Sequence, residues 1–598
     1  MRSTLLVIVA ILGAGVAEAA GKDAPTAQLE QLYAEFWEEN LALNPLRATF
    51  VGDPRYNDRL PNFLSSDYQR TMREFQQRYL NRARAVGSDD LAGQARLSYE
   101  IFLRDRAMAL EGMQFPDRLQ PIDQFGSVAS LIAQLGSGTN AQPFVTVADY
   151  DNWLRRAGQV PTLFDQAIAN MREGIAQGVV QPRVLMVKVL PQLDALIVDE
   201  PEKSVFWGPI DMLPEGFSAA DRVRLTAAYR ALVSDVLMPS YRKLRAFIAD
   251  EYLPRTRATV GLDALPNGQA WYAYQVRDNT TTNLTPAEIH VIGLAEVARI
   301  HADMREVATQ LGYPAQDGEV DLAGFFRWMK DRPDMYFASR EELLQSFRAF
   351  RTQIDPLLPQ YFNLRPRAEY EIRTYEPFRE ASAAAGSYQG PSQDGTRAGI
   401  FYVNAFDLKA RPRWTRNSLA LHEAAPGHHF QIALQQELSS LPMFRRFGGE
   451  TAFAEGWGLY AEHLGYEMGA YEDPVQHFGA LDAELWRAIR LVVDTGLHSK
   501  GWSRQQVLDY MYANSPVEPT RAIAEAERFM AMPGQALAYK IGQLKILELR
   551  KLAEAQLGER FDIRAFHDEV LRDGSVPLEV LEEKIARWLA AQVSKFEK

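Results

Sequence analysis

Between Leu419 and Gln431 the chain reads LALHEAAPGHHFQ, so three imidazoles and one carboxylate fall within a few turns of backbone. His422-Glu423 is the pair that opens zinc-hydrolase helices, where the imidazole binds the ion and the adjacent carboxylate serves as general base on water. The usual second histidine comes one turn later on the same face. Here Ala-Ala-Pro-Gly intervenes, and histidines follow at 428 and 429. On a continuous helix His428 would lie about 600° round from His422, the wrong face, and His429 would lie about 10 Å along the axis. Pro426 removes the backbone donor that would reach the carbonyl of His422 and crowds that carbonyl, so the helix must open. Gly427 permits the dihedrals of a bulge. A bulge absorbing two residues makes His428 the second ligand; one absorbing three makes it His429. The other reading is a helix that stops at Ala425 and leaves both histidines in a loop. The smaller distortion favours His428, with His429 behind the ligands or against substrate.

The chain has no cysteine, so His, Asp and Glu are the metal ligands it can offer, and thiolate chemistry and disulfides are excluded. The third ligand is sought in ETAFAEGWGLYAEHLGYE, residues 450–467. Glu455 follows His428 by 27 residues, room for the rest of one helix, a loop at Leu441-Pro442 and a returning helix. Gly456 and Gly458 each cost about 1 kcal/mol inside a helix, which is sensible where that helix must approach a neighbour closely. Glu462, seven residues on and on the same face, can hold a ligating imidazole by its second nitrogen; otherwise it is a surface carboxylate near His463. Asp494 and His498 are one turn apart, so that the carboxylate can fix the tautomer of an imidazole facing a developing oxyanion, or the two form a plain helical ion pair. Tyr539 follows a Pro-Gly turn. Arg373, Arg397 and Arg521 are candidate partners for a substrate carboxylate, and the sequence does not choose among them.

The HExxPGHH-like segment, the EGW at 455–457 and three further stretches resemble the domain of unknown function 885 group, placed among the zincin-like, gluzincin-type metallopeptidases. Those stretches are LTPAEIHVIGLAEVARIHADM (284–304), RLVVDTGLHSKGW (490–502) and MPGQALAYKIGQLKILELR (532–550). The resemblance implies a mainly α, large helical zincin-like fold with a small β-sheet or hairpin edge strand next to the metal helix. It implies zinc held by His422, His428 and Glu455, with Glu423 as base and Tyr539 or His498 polarising the scissile carbonyl. It also implies that Gly399 to Asn404 is an edge strand that takes the substrate main chain as an added strand, with Gly399, Tyr402 and Asn404 against the peptide. The plainer reading of that run is an ordinary hairpin.

The surrounding elements are mostly helices. From Ala27 to about Arg255 apolar residues return at three and four, as in QLEQLYAEFWEENLAL. Gly261 to Asn283 reads as a loop with one strand. Thr285, Pro286 and Glu288 make a capping box with proline in the first helical position. His290 and His301 share that helix about 16 Å apart, too far for one ion, and read as packed or surface residues. EYEIRTYEP and AGIFYVNAFD read as strands. The organisation expected is a signal peptide over 1–20, an N-terminal helical region over 21–260 and a catalytic region over 261–598, the last two parts of one helical architecture.

Residues 1–20 carry Arg2, an apolar run from Leu5 to Val16 and Ala17-Glu18-Ala19, the pattern of a cleavable secretory signal. The run is shorter than the roughly 20 residues a membrane span needs, and no lipobox cysteine is present. An exported, periplasmic or secreted protein is expected. The formal charge of −12 and the absence of a basic run give no reason to expect nucleic acid or an anionic membrane as partner, and no protein partner is evident. There is no GxSxG elbow, Walker loop or dinucleotide fingerprint. The function expected is zinc-dependent hydrolysis of peptide bonds in oligopeptides. The alternatives are a non-catalytic peptide- or metal-binding protein on the same fold, or a metal-dependent hydrolase of a non-peptide amide or ester.

Overall fold

A computed structural model describes residues 24–315, 317–375, 380, 383–391 and 398–596. The expected signal peptide and Arg397 lie outside these residues. The N-terminal part is helical as its periodicity predicts. Residues from Leu60 to Tyr252 close a core of their own around Trp153, Tyr229 and Tyr241. The helices Ala24–Leu43, Ser66–Val86 and Gly93–Gly112 instead share a core with the C-terminal half, Phe36 and Phe102 joining Phe453 and Trp457 in one cluster.

The stretch expected as a loop with one strand is a helix, α1 (Gly268–Thr280), entered through Asn267 in the left-handed conformation. Trp271, Tyr272 and Val276 are the buried residues that decide this: they recur at helical spacing, and their burial outweighs the strand preference of their types. α2 (Pro286–Gln310) starts at the expected capping box, Thr285 and Glu288 bonding each other's backbone. On α2, His290 Nδ1 meets Thr495 Oγ1 at 2.8 Å and His301 Nε2 meets the carbonyl of Asn514 at 2.9 Å, so both are packed residues.

The described strands are β1 (Tyr370–Thr374), β2 (Gly386–Gln389) and β3 (Gly399–Val403), in sheet order β1-β3-β2. β3 runs parallel to β1, with Tyr370 opposite Gly399, and antiparallel to β2, with Gly386 opposite Val403. The run expected as an edge strand is therefore the middle of the sheet, and it is not a hairpin with β1. Its apolar residues explain this. Phe401 and Val403 enter the large core while Ile400 and Tyr402 pack with Tyr375 on the other face, so β3 is buried throughout.

α3 (Arg416–Glu423), α4 (His428–Glu437), α5 (Thr451–Leu464), α6 (Pro474–Ser499), α7 (Pro519–Ala531) and α8 (Ala538–Leu557) follow. α5 crosses α8 at van der Waals contact through glycine on both sides. A Cβ on Gly456 would lie 2.5 Å from Gly542, and one on Gly542 would lie 2.0 Å from the carbonyl oxygen of Ala452. α2 lies along α6 by the same device, a Cβ on Gly293 falling 2.7 Å from the side chain of Leu491. No described helix is long and apolar enough to cross a membrane.

Candidate metal centre

The helix carrying His422 stops at Glu423, and a new one starts at His428. The Ala-Ala-Pro-Gly stretch is thus a turn between two helices, a larger break than a bulge, with a cis bond before Pro426. The amide of His429 bonds the carbonyl of Ala424 at 3.2 Å, and the indole of Trp457 on α5 donates to the carbonyl of Pro426 at 2.9 Å, tying the turn to the facing helix. Gly427 is needed for space, since a Cβ there would lie 2.0 Å from the carbonyl oxygen of His422 and 2.3 Å from that of Leu421.

That turn swings His428 back beside His422, the ring centroids 4.6 Å apart. α5 brings Glu455 between them: Oε2 lies 3.3 Å from His422 Nε2 and 3.5 Å from His428 Nε2. All three donor atoms fall within 4.8 Å of one another. Ligands at about 2.0–2.1 Å from a tetrahedral zinc stand roughly 3.4 Å apart, so the two His–Glu separations fit one ion. Glu455 Oε2 is buried and has no hydrogen-bond partner, a costly state that a cation would relieve. Burial raises the pKa of Glu455, but His422 and His428 outweigh it and hold the carboxyl well below the usual range.

His422 is only 3% exposed. Its ring lies flat against the bare backbone of Gly458, where a Cβ would meet Cε1, Nδ1 and Nε2 at 2.7, 2.9 and 3.0 Å. Gly458 is therefore a seat for the imidazole. Nδ1 is bonded to Glu462 Oε1 at 2.8 Å, which directs Nε2 at Glu455. Glu462 also accepts from Ser418 Oγ and lies 3.4 Å from Arg487. Burial disfavours charge on His422, but the neighbouring Glu455 and Glu462 carboxylates prevail and lift its pKa to about 9. A metal ion bound there would compete with that proton. Glu423, buried, follows His422 directly.

Tyr539 is half-buried, its ring lies 4.7 Å from the guanidinium of Arg490, and burial together with the Glu455 carboxylate raises its pKa.

Other predicted site residues lie elsewhere. Both ring nitrogens of fully buried His498 are spent on backbone: Nδ1 accepts from the amide of Leu262 at 3.0 Å and Nε2 donates to the carbonyl of Phe529 at 2.9 Å. No nitrogen remains for an oxyanion. Asp494 does not orient it either, accepting instead from Tyr272 Oη at 2.6 Å and from the amide of Gly534 at 3.1 Å. His429 points away from the ligands into the sheet, its Nδ1 2.8 Å from Tyr388 Oη and its ring on Tyr370. Asn404 is consumed by the carbonyls of Glu380 and Ala383, each at 2.8 Å, and Tyr402 stacks on Tyr375. Gly399 lies under the hydroxyl of Tyr388. The strand beside the helix of His422 is β2, where Gly386 packs on Leu419 of α3. Arg373 pairs with Glu371 on β1, and Arg521 lies over Trp486.

Three contributors escaped the sequence reading: Ser418, Arg487 and Arg490. Ser418 sits one turn before His422 on its face, a spacing that was there to be used. The arginines are cations inside an otherwise apolar stretch of α6, and only the tertiary structure shows what they face.

Among solved structures, the chain is similar to "the putative lipoprotein from Colwellia psychrerythraea" at 30% identity, covering 95% of this chain and 99% of that one, with a TM-score of 0.85. It is also similar to "a putative lipoprotein of unknown function from Shewanella oneidensis" at 17% identity, covering 93% of this chain and 99% of that one, with a TM-score of 0.75; that likeness concerns the fold alone. No curated protein matches. A family model described as "Bacterial protein of unknown function (DUF885)" matches residues 45–585, and the chain belongs to that family.

Proposed function

We propose that this chain is a zinc-dependent peptidase of the zincin-like type, acting on oligopeptides outside the cytoplasm. The observation that carries the reading is the pair of contacts from Glu455 to His422 and His428, at 3.3 and 3.5 Å, with Glu423 next in sequence to His422. When bound, the ion supplies Lewis-acid activation of water and of the scissile carbonyl. Glu423 takes a proton from the attacking water as its oxygen bonds to the carbonyl carbon, then gives that proton to the amine as the C–N bond breaks. The Tyr539 hydroxyl, kept protonated by burial and by Glu455, donates to the oxyanion. Glu462 and Ser418 hold the His422 ring in register. The substrate main chain adds to the outer side of β2, next to α3. The apolar leader and the description of the Colwellia relative as a lipoprotein both support export.

Metal analysis by plasma mass spectrometry of purified protein should find one zinc per chain. Glu423→Gln should keep that zinc and lose roughly 10²- to 10⁴-fold in hydrolysis of a peptide library. Absence of stoichiometric zinc, with Glu423→Gln as active as the parent, would end this reading.

A further inference from the structure

A cleft of about 930 Å³ opens between the N-terminal helices and the C-terminal half, and none of the candidate metal-centre residues lines it. That volume suits a small-molecule ligand. Its wall is apolar where Phe36, Phe63, Met72 and Phe444 meet, and Phe50, 54% exposed, stands at its mouth. Three carboxylates enter it from three elements. Asp105 comes from the helix Gly93–Gly112, Asp278 from α1, and Glu450 from the position just before α5.

The cations of the cleft do not satisfy these anions. Among the described residues the three carboxylates make no hydrogen bond, and Glu450 does not cap α5. Only Arg104 comes near: its Nη1 is 3.8 Å from Asp105 and 3.6 Å from Glu450, beyond bonding distance of either. Since both distances are from one nitrogen, Asp105 and Glu450 are close enough for a single cation to meet both. The other arginines are engaged elsewhere. Arg106 lies 4.3 Å from the ring of Phe36 and 4.9 Å from that of Phe102. Arg445 donates to Ser98 Oγ at 3.3 Å and to the carbonyl of Asp573 at 2.6 Å. Burial raises the pKa of Asp105, Asp278 and Glu450 by more than Arg104, Arg106 and Arg445 lower it, and Asp105 and Asp278 push Glu450 up further. Independently of the acids, Gln76 in the wall is 7% exposed and its Oε1 accepts from nothing. Acceptors left without donors are costly, and such groups are kept where a ligand completes them.

We infer that this cleft is a second ligand site, taking a molecule whose protonated amine sits between Asp105 and Glu450, with Asp278 at the mouth, and whose apolar body lies against Phe36, Met72 and Phe444. An ammonium carries three donors and no acceptor, the complement of what the cleft leaves open. A free amine and the amino end of a short peptide share that chemistry.

The probe is dansylcadaverine, a primary amine on an apolar fluorophore, titrated into the full chain beside its N-acetyl derivative as the neutral control. Dansyl emission should show the amine binding roughly 10-fold more tightly than the acetyl derivative. Glu450→Gln and Asp105→Asn should each weaken the amine by about 10-fold and leave the acetyl derivative where it was. Asp278→Asn, an exposed side chain with no bond to lose, should weaken it by about 3-fold, which keeps the test decisive if the other two variants do not fold. Treatment with a chelator should change none of these affinities, because the cleft shares no residue with the metal centre. Displacement of the probe by a hexapeptide with a free amino end, and not by its N-acetylated form, makes the ligand a peptide amino end. Displacement by neither, with the probe still bound, makes it a free amine. Equal binding of amine and acetyl derivative, no binding of the amine up to about 1 mM, or binding indifferent to the carboxylate variants overturns the inference. So does displacement by the acetylated peptide, or loss of binding with the metal.

Discussion

His422 and His498 are both buried imidazoles on helices, each with a carboxylate that the sequence offers as an orienting partner, and they do opposite work. At His422 the partner is real: Glu462 takes Nδ1, Ser418 and Arg487 hold Glu462, and Nε2 is left facing Glu455. At His498 the partner one turn away is engaged elsewhere, and two backbone groups from separate segments claim both nitrogens. One ring turns its second nitrogen to a carboxylate side chain. The other is a cross-link between Leu262, α6 and Phe529. What separates a candidate ligand from a strut is therefore the second nitrogen's partner and what remains for the first, a property of tertiary structure and not of residue type.

Exchanging the two losses should separate these roles most sharply. His422→Ala should abolish stoichiometric zinc and peptide hydrolysis together. His498→Ala should leave the zinc content of the folded protein at one per chain while lowering stability by about 3–5 kcal/mol, because it leaves a buried amide and a buried carbonyl unpaired. His498→Gln, which can supply an acceptor and a donor, should recover part of that. Metal analysis and urea unfolding on the same preparations check both. A folded but zinc-free His498→Ala protein would erase the contrast.

The carboxylates give the next largest effect. Glu462→Gln should weaken zinc binding roughly 10- to 100-fold, the usual cost of losing the group that orients a ligating histidine. Asp494→Asn, at the other pair, should leave zinc affinity unchanged, since Asp494 serves Tyr272 and Gly534. Competition with a chelator of known affinity measures both, and equal losses would mean the two pairs are not different in kind.

The contrast also explains what the sequence let one read. The convergence of His422 and Glu455 was legible because its signs are local: a histidine beside a carboxylate, and a glutamate next to a glycine that betrays a close crossing. That the helix opens followed from Pro426, whose missing donor breaks it whatever surrounds it, and His428 was preferred over His429 as the smaller distortion and the better fit to the family pattern. The capping box at Thr285 and the helical N-terminal region were legible for the same reason. α1 was misread because its aromatic residues favour strands in isolation and only their burial at helical spacing decides otherwise. β3 was misplaced because edge or centre depends on which strands join it, and a run of apolar residues on both faces, as in GIFYV, was the available sign of a central strand. Arg490 gave no local signal.

The smallest expected effect has opposite signs at the two histidines. Burial pushes the pKa of His498 down to about 4, so its contribution to stability is fully present above the unfolded value near 6.5 and is lost as pH falls through 4. At pH 5.5 the loss is about 1 kcal/mol. In metal-free protein His422 behaves the other way. With its pKa raised to about 9, its contribution is fully present below 6.5 and disappears as pH rises through 9. Asp494, raised by burial to about 7, loses its own contribution between about 4 and 7 and so partly masks the acid limb of a bulk unfolding curve. Residue-resolved titration avoids the masking. Imidazole carbon resonances of histidine-labelled, chelator-treated protein should show one ring, absent in His422→Gln, titrating near pH 9. Another, assigned by His498→Gln, should stay neutral until about pH 4. If both titrate together near 6.5, neither the paired site nor the buried strut is as the distances describe it. Zinc should abolish the first titration and leave the second where it was, because an ion displaces the proton only from the ring built to hold it.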